Sequence, residues 1–407
     1  MTAEAGTRDP LAVVAAVHPL ASGAAQFNTA MVTALCELGP VHTLSWRRLY
    51  PPLIHGRDTL DRISHRPRLP HADMMLDWID PRTWRAALRR IAATGSRAIV
   101  LPWVHPVMAP PYLYLLRHAP PEIARVVICH NVEQHEPVPF ERCVSRSVLR
   151  HADLLVVHAS HQAAELAGLG VTGGRVLGAF HPRFAAADLC ELPRREQVEA
   201  ERGRQGHPGL SLLAFGAIRP YKGIDLGLEA LARVPSRLRA RLTVAGVFWD
   251  GAAQLRRRIS ELGLEDRVEL RDGFQSNEQA ALLFSAADAS LLPYRSASQS
   301  GVVQLSFAYG VPVVATSVGG LAEAVTDGVD GILCPPGDVG ELTAAIQRMA
   351  TDRAALAAGV RRGGEQHSFR RYGELLHEAI DALSVKARSR RPRTRRRAPS
   401  KTAEAPA

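Results

Sequence analysis

One segment of the chain, residues 293–320, alternates between apolar strands, loops of small residues and helix starts. An apolar strand that ends at Leu292 leads into a loop of small residues, 296–301, and an apolar helical segment follows. The unit is repeated after Gly310, with a second buried strand and a second small-residue loop. Consecutive strand–loop–helix units predict a parallel sheet with helices on its faces, the doubly wound α/β class of fold.

The two loops follow neighbouring parallel strands, so we expect them at the same edge of the sheet. Small side chains leave the backbone N–H groups of such a loop accessible, and a helix that begins there adds partial positive charge. Either loop alone is equally explained as a tight turn between a strand and a helix. Together, the two loops favour a site for a nucleotide diphosphate.

Strand and helix patterns alternate over most of the chain. The strand Leu11–Val17 precedes a predicted helix, Phe27–Leu38, and helix caps are predicted at Ser276 and Asp338. The pattern restarts after a glycine-rich and charged stretch, 191–208. Because 407 residues suffice for two domains, we expect domains at residues 1–190 and 191–365. Further strands are predicted at residues 98–104, 126–129, 154–157, 211–215, 241–245, 268–270, 289–292, 313–315 and 332–334.

The five cysteines occur singly, without a C-x-x-C pair, which argues against a zinc knuckle or a disulfide framework and favours a cytoplasmic protein. The N-terminus is polar, and the longest apolar runs are far shorter than the roughly 20 residues of a membrane span. We therefore expect neither a signal peptide nor a membrane span.

Most of the net charge of +10 lies at the C-terminus, where nine Lys or Arg and one Glu follow Val385. Residues 386–407 are predicted to be a disordered basic tail. The tail is either a solubilising terminus or a weak contact to an anionic membrane surface, at the inner face of the plasma membrane. Nucleic-acid binding is less favoured, because no aromatic residues are interleaved with the arginines.

Five segments carry a resemblance to a known family. They are PLASGAAQFN (19–28), SWRRLYPPLIHGR (45–57), ICHNVEQHE (128–136), FGAIRPYKG (215–223) and the segment 293–320. The chain resembles retaining GT-B glycosyltransferases of the large family-four group, also called glycosyl transferases group 1. This resemblance implies two Rossmann-like doubly wound domains that face each other across a cleft. The first would bind the acceptor and the second the nucleotide sugar, while a C-terminal helix, 366–385, would return to the first domain.

The resemblance assigns the leaving diphosphate to Lys222 and Arg219 as catalytic cations. An ammonium and a planar guanidinium would neutralise charge as the glycosidic bond breaks. A solvated surface pair is the alternative. The common family pattern has Arg where this chain has Ala217, so Arg219 either takes over that phosphate contact or the site is weaker.

The loop SASQSGV replaces a pair of glutamates that most family members carry, and it resembles the loop of one subgroup. Ala297 and Leu305 occupy the two positions, and neither side chain accepts a hydrogen bond from a hydroxyl. Ribose recognition therefore stays open. The resemblance places the donor diphosphate on Gln299, Ser300, Gly301 and Val302, and the sugar or acceptor near Ser298.

In the first domain, His130 ends a predicted strand, and the resemblance assigns it to the reaction centre, although a histidine there is also explained as structural. Asn131 and Glu133 beside it would contact sugar or acceptor. Gly23 would lie against the donor diphosphate, because a glycine lets a ligand approach the backbone closely. Ser22 would contact the sugar or acceptor.

No D-x-D motif occurs, so we expect no metal at the diphosphate and no cofactor besides a donor of the UDP or GDP type. The expected reaction is transfer to a hydroxyl of a saccharide, a lipid-linked saccharide or a small molecule, with retention at the anomeric carbon. A nucleotide-sugar epimerase or phosphorylase, and a non-catalytic nucleotide-binding subunit, are the alternatives. Residues 103–116 are predicted as core around a proline turn; an exposed part would instead suit a hydrophobic acceptor.

Overall fold

The protein folds into two α/β domains. The computed structural model describes residues 8–20, 22–49, 69, 72–133, 140–204, 209–297, 300–364 and 366–389. Within these residues, two parallel sheets of seven and six strands are each built from consecutive strand–helix units. This architecture confirms the predicted GT-B arrangement of two Rossmann-like domains.

The first sheet has the strand order β3-β2-β1-β4-β5-β6-β7, and all its strands are parallel. Its central strands are fully buried, as the continuous apolar runs predicted. The strands are β1 Leu11–Val14, β2 Val41–Arg48, β3 Ala72–Asp77, β4 Ala98–Trp103, β5 Ala124–Cys129, β6 Leu154–Val157 and β7 Arg175–Gly178. The helices that precede the second sheet in the chain are α1 Gly23–Leu38, α2 Pro81–Ala93, α3 Ala109–His118, α4 Glu141–Leu149, α5 Ser160–Gly168, α6 Ala186–Leu189 and α7 Arg195–Arg204. Of these, α7 packs on the second domain.

The second sheet has the order β10-β9-β8-β11-β12-β13 and is also parallel. Both predicted caps are present, since Ser276 forms a capping box and Asp338 accepts from the backbone of Glu341. The strands are β8 Ser211–Phe215, β9 Arg241–Gly246, β10 Val268–Asp272, β11 Ala289–Leu292, β12 Val313–Thr316 and β13 Gly331–Cys334. The helices are α8 Ile224–Arg233, α9 Ala253–Glu261, α10 Asn277–Ala286, α11 Gly301–Ala308, α12 Gly320–Ala324, α13 Val339–Arg362 and α14 Phe369–Ser389.

In each sheet the strand order reverses next to the first strand, between β1 and β4 and between β8 and β11. Such reversal points open a crevice at the carboxyl ends of the strands. The loops after β1, β8 and β11 therefore border the space where the two domains meet.

The last helix, α14, packs on the first domain against α1. Its buried residues Tyr372, Leu376 and Ile380 join the core that contains Leu11 and Phe27. The helix runs four residues beyond the expected boundary at 385, while residues 390–407 lie outside the described part of the chain. The basic tail and its membrane contact therefore stay predictions.

The segment 103–116 belongs to the core of the first domain. Trp103, Tyr112, Leu115 and Leu116 are fully buried, and the Tyr112 hydroxyl donates to carbonyl oxygens of β1 and β4. These buried side chains do not form the exposed apolar patch that was the alternative interpretation. Among the described helices, none combines the length and the apolar character that crossing a membrane requires.

Candidate functional site

A cavity of about 480 Å³ lies between the two domains at the carboxyl ends of their strands. Seven of the residues predicted from the sequence line it: Ser22, Gly23, His130, Asn131, Lys222, Gly301 and Val302. Ser298 and Gln299 lie outside the described residues. The cavity thus collects predicted site residues from both domains.

The described walls of this cavity carry one Lys and no Asp or Glu. His18, His130 and His181 also line it, while the rest of its wall is made of amide, small and apolar side chains. A cavity of this composition disfavours a cationic ligand and suits a ligand with negative charge near Lys222.

Lys222 is held by the turn between β8 and α8. Gly223 has a φ of 62°, and a Cβ there would lie 2.1 Å from the Pro293 carbonyl oxygen, so the turn requires glycine. The Lys222 Nζ donates to the Phe215 carbonyl oxygen at 2.9 Å and lies 5.4 Å from the centre of the Tyr294 ring. Burial lowers the pKa of Lys222 to about 8, with a smaller contribution from the nearby charge of Arg219.

The backbone at the ends of β8 and β9 is packed too closely for side chains. A Cβ at Gly246, where φ is 138°, would lie 1.9 Å from the Gly216 carbonyl oxygen. A Cβ at Gly216, where φ is 99°, would lie 3.1 Å from the Lys222 Nζ. Both glycines line the cavity, so peptide groups rather than side chains face a ligand beside the ammonium.

Two helices begin at the cavity. Gly301 is the first residue of α11, and Gly23 is the first residue of α1. Apart from each glycine's chain neighbours and helix backbone, no described atom lies within 4 Å of the place a Cβ would take, so both positions border open space. N-terminal N–H groups and the helix dipole attract anions, which fits the predicted diphosphate loops.

The serines before these helices differ in their roles. The Ser22 hydroxyl caps α1 by accepting from the Ala25 backbone at 3.0 Å. Ser300 is buried and makes no side-chain cap to α11. Of the two serines, only Ser22 lies on the cavity wall.

Arg219 and Glu133 are not among the residues that line the cavity. The Arg219 guanidinium lies 4.0 Å above the Trp249 ring, and Glu133 forms an ion pair with Arg142. Of the two predicted cations, Lys222 therefore lines the cavity and Arg219 does not.

His130 follows β5 and lines the cavity next to Asn131. Its Nε2 is buried and has no hydrogen-bond partner among the described residues, and its ring packs edge to face with Phe27 at a centroid distance of 4.6 Å. Burial, with a smaller effect of His181, lowers the pKa of His130 to about 3. The imidazole is therefore neutral at physiological pH.

Several lining residues escaped sequence reasoning. The Gln26 side chain of α1 donates to the Asn277 Oδ1 of α10 at 2.8 Å, which bridges the two domains. Phe274 and Gln275 follow the carboxyl end of β10 and line the cavity. This position indicates ligand contact only when the strand order of the sheet is known. His181 also lines the cavity, but no motif surrounds it in the sequence.

The positions of the two missing glutamates differ in the structure. Leu305 lines the cavity, whereas Ala297 is buried and is not part of its wall. The Ala297 carbonyl oxygen lies 1.7 Å from the place a Cβ would take at Gly319, so backbone packing fills this corner. In the described part of the chain, no group of three or more His, Cys, Asp or Glu side chains is arranged to hold a metal ion.

Comparisons with known proteins agree with this geometry. Residues 209–352 match the family model described as "Glycosyl transferases group 1". The D-inositol 3-phosphate glycosyltransferase of Geodermatophilus obscurus is 31% identical over 284 residues, which cover 66% of this chain and 61% of that protein. The enzyme of the same name from Mycobacterium marinum is 32% identical over 247 residues, covering 58% and 51%. The matches thus span between half and about three fifths of the length of these relatives.

Two solved structures show the same fold over nearly the whole chain. Sucrose-phosphate synthase from Thermosynechococcus elongatus superposes with a TM-score of 0.73 at 21% identity, covering 93% of this chain and 100% of that one. Anabaena HepE, in complex with UDP-glucose, has a TM-score of 0.66 at 16% identity, covering 92% and 99%. Residues 209–352 thus match the glycosyl transferases group 1 model, in a chain that has the GT-B fold.

Proposed function

We propose that this protein transfers a sugar from a nucleotide-diphosphate sugar to a hydroxyl acceptor, with retention at the anomeric carbon. One observation carries the proposal: the N-termini of α1 and α11 and the Lys222 ammonium face one cavity whose described walls hold no carboxylate. These groups provide positive potential on the walls of one cavity. A diphosphate is the part of a nucleotide sugar that needs it.

The proposed mechanism relies on positioning and electrostatics. As the bond from the anomeric carbon to the diphosphate oxygen breaks, negative charge grows on that oxygen, and Lys222 and the α11 N-terminus stabilise it. The acceptor hydroxyl attacks from the same face, and the departing phosphate oxygen takes its proton. No general base is required, and the neutral His130 imidazole beside Asn131 accepts or donates a hydrogen bond to a sugar hydroxyl.

We propose further that the reaction needs no metal ion, because the ammonium and the two helix N-termini supply the countercharge. Neither EDTA nor Mg²⁺ should then change the rate of transfer by more than about twofold. Loss of a catalytic charge, in contrast, lowers a rate by about 100-fold or more. A rate that requires Mg²⁺ or Mn²⁺ would contradict this part of the proposal.

The choice of substrates for a first assay follows from the relatives. HepE structures hold UDP or UDP-glucose, and the curated relatives are named for D-inositol 3-phosphate. We therefore propose UDP- and GDP-sugars as donors, and D-inositol 3-phosphate, saccharides and lipid-linked saccharides as acceptors. Donor consumption that depends on the acceptor, with product of the same anomeric configuration by NMR, is the expected result. Turnover without acceptor would identify an epimerase or a hydrolase instead.

A non-catalytic nucleotide-binding subunit is the second candidate, and two observations favour it. Leu305 stands on the cavity wall at the position of a family glutamate, and Arg219 lies outside the cavity. Such a protein would bind nucleotide diphosphates and show no transfer with any donor and acceptor pair. Calorimetry with UDP and GDP, run beside the transfer assay, separates the two functions.

A further inference from the structure

Gln162 is the third residue of α5, and its side chain connects the ends of two strands of the first sheet. The side chain is fully buried, and the described cavity wall does not include it. Its Oε1 accepts from the backbone N–H groups of His158 at 2.8 Å and Ala159 at 3.2 Å, directly after β6. Its Nε2 donates to the carbonyl oxygens of Cys129 at 3.3 Å and His130 at 3.1 Å, at the end of β5.

These four hydrogen bonds use the full capacity of the Gln162 amide. A glutamine side chain has two N–H donors and one oxygen with two lone pairs, and here a backbone group matches each of them. Capping of α5 needs only the oxygen, because N–H groups are the ones left unpaired at a helix start. The two bonds to the end of β5 are therefore additional to the cap, and a carboxylate in the same place could not donate them.

The bond to His130 fixes the first residue after β5. The His130 backbone N–H donates to the Trp103 carbonyl oxygen of β4 at 2.9 Å, and the His130 carbonyl oxygen accepts from Gln162. Both backbone groups of His130 are thus tied to neighbouring elements. The direction in which the backbone presents the imidazole to the cavity is set by these two bonds.

Gln162 also holds the backbone of the histidine that packs beside this imidazole. The ring of His158 lies next to that of His130, with centroids 5.8 Å apart, and its Nε2 is hydrogen-bonded to the Tyr372 hydroxyl at 2.9 Å. Loss of the Gln162 amide would therefore release the backbone under both rings, of which the His130 ring lines the cavity.

We propose that Gln162 is a positioning residue for the transfer reaction: its amide sets the place and direction of the His130 imidazole at the cavity wall. This inference rests on the proposed function, in which the imidazole meets a sugar hydroxyl. A hydrogen bond depends steeply on distance and angle, so a small displacement of the ring should slow transfer. Binding of the diphosphate should be unaffected, because Lys222 and the α11 N-terminus belong to the second domain.

The test uses the full chain and the UDP- or GDP-sugar that the wild type accepts. Gln162→Met keeps the length of the side chain and removes all four hydrogen bonds. It should lower kcat about 10- to 100-fold, the scale of a displacement of about 1 Å in a reaction centre. Gln162→Asn, one methylene shorter, is a milder second variant and should lower kcat in the same direction. Calorimetry with UDP and GDP should give the same Kd for both variants as for the wild type.

Gln197→Met is the matched control. Gln197 is also the third residue of its helix, α7, and its Oε1 accepts from the Arg194 backbone N–H at 2.8 Å. It is exposed and is not part of the described cavity wall. This variant loses a bond at a helix start without affecting His130, so its kcat should equal that of the wild type.

A double-mutant cycle distinguishes positioning from a general loss of stability. His130→Ala should lower kcat, and Gln162→Met should lower it by less than about twofold further in that background, since the group that Gln162 positions is then absent. Two losses that multiply would overturn the inference. A higher KM for the donor at unchanged kcat would also overturn it, because the effect would then lie in the contact of Ser160, at the start of α5, with Glu323.

The outcomes separate the inference from the function on which it rests. If the wild type transfers no sugar, both fail. If it transfers sugar and His130→Ala does so at the normal rate, the roles of His130 and Gln162 fail and the transfer function stands. If His130→Ala is slow but both Gln162 variants match the wild type, only the role of Gln162 is overturned.

Discussion

At the scale of the residue, Lys222 determines the charge of the proposed donor site. Its ammonium is buried, yet no carboxylate lines the described cavity around it. Burial brings the pKa of Lys222 down to about 8, so the charge is present at neutral pH and is lost as the pH rises through that value. A bound diphosphate favours the charged form, so the loss should appear at higher pH for kcat than for kcat/KM.

Lys222→Ala should lower kcat about 100-fold or more, the effect of removing one charge contact from a transition state. The fold should persist, because the turn depends on Gly223 rather than on the side chain. Steady-state kinetics with the UDP- or GDP-sugar that the wild type uses measure the effect. Arg348→Ala, which removes an exposed charge of α13, serves as the control. Near-normal turnover by Lys222→Ala would place the site elsewhere.

Gly301→Val should abolish binding of nucleotide diphosphates. The Cβ of the new residue would stand in the free space at the start of α11, where the phosphate is proposed to lie. Calorimetry with UDP and GDP measures the loss. Gly203→Val is the control, since Gly203 is an exposed helical glycine with the same free space around it. Equal binding by the wild type and Gly301→Val would exclude this helix terminus as the phosphate site.

The sequence predicted which residues lie at the strand ends, but not the direction that their side chains take. Lys222, Gly301 and His130 follow apolar strands, and the rule that ligands bind at carboxyl ends places all three at the cavity. Arg219 is three residues from Lys222, yet it stacks on Trp249 in a different pocket. Which side of a turn a side chain takes depends on tertiary packing, and the local sequence does not contain that information.

At the scale of the element, the difference lies in how apolar a strand is along its length. Continuous apolar runs predicted β4 and β11 closely, because both faces of a central strand are buried. The strands β2, β3 and β7 have no long apolar run and were missed, although β2 lies inside the first sheet. Such strands are specified by the neighbours they pair with rather than by their own composition.

The helix α14 completes the core of the first domain, although it is the last element of the chain. Leu376→Ala should lower the free energy of unfolding by about 2–5 kcal/mol, because Leu376 is buried against α1 and leaves a cavity when truncated. Denaturant unfolding measures this. Glu378→Ala, on the exposed face of α14, should change it by less than about 0.5 kcal/mol. Equal stability of the two variants would show that α14 is not part of this core.

A cluster of histidines lies where α1, the first sheet and α14 meet. His130, His158 and His181 surround the Phe27 ring, and His158 is hydrogen-bonded to the Tyr372 hydroxyl at 2.9 Å. Burial lowers the pKa of His130 to about 3 and that of His181 to about 4, from an ordinary value of 6.5. The folded protein therefore keeps these imidazoles neutral well below pH 6.5.

The free energy of unfolding should fall as the pH drops below 6.5. Below that pH the unfolded chain binds protons at histidines that stay neutral in the folded chain. The free energy of unfolding then falls by about 1.4 kcal/mol per pH unit for each such histidine. Urea unfolding at pH 7.5 and 5.5 should show a loss of about 3 kcal/mol from His130 and His181 together, and His181→Gln should reduce that loss. An equal free energy of unfolding at the two pH values would contradict the conclusion that these histidines are neutral when buried.

At the scale of the whole molecule, hydrogen bonds on two sides of the cleft hold the domains together. The Glu323 carboxylate of α12 accepts from the backbone N–H of Ser160, at the start of α5, and from its hydroxyl at 2.7 Å. Gln26 and Asn277 form the second link across the cavity. A carboxylate at a helix N-terminus is electrostatically favourable, so this contact favours the closed arrangement.

Glu323→Ala should let the domains open. We expect a larger radius of gyration in small-angle scattering without ligand, and a higher KM for the donor, because binding must then close the cleft. Glu265→Ala, an exposed carboxylate of the same domain, is the control. An unchanged scattering profile and an unchanged KM would show that the Glu323 contact has no share in closure.

The return of α14 to the first domain has a consequence for how the protein is made. The second domain is inserted between β7 and α14, so the first domain is begun first on the ribosome and completed last. Until residues 369–389 emerge, the apolar side of α1 around Phe27 and Met31 lacks the helix that covers it. All six strands of the second domain precede α14 in the chain, so its sheet can form before α14 is synthesised. During synthesis the usual order is therefore reversed: the later domain can become native while the earlier one still needs protection from aggregation.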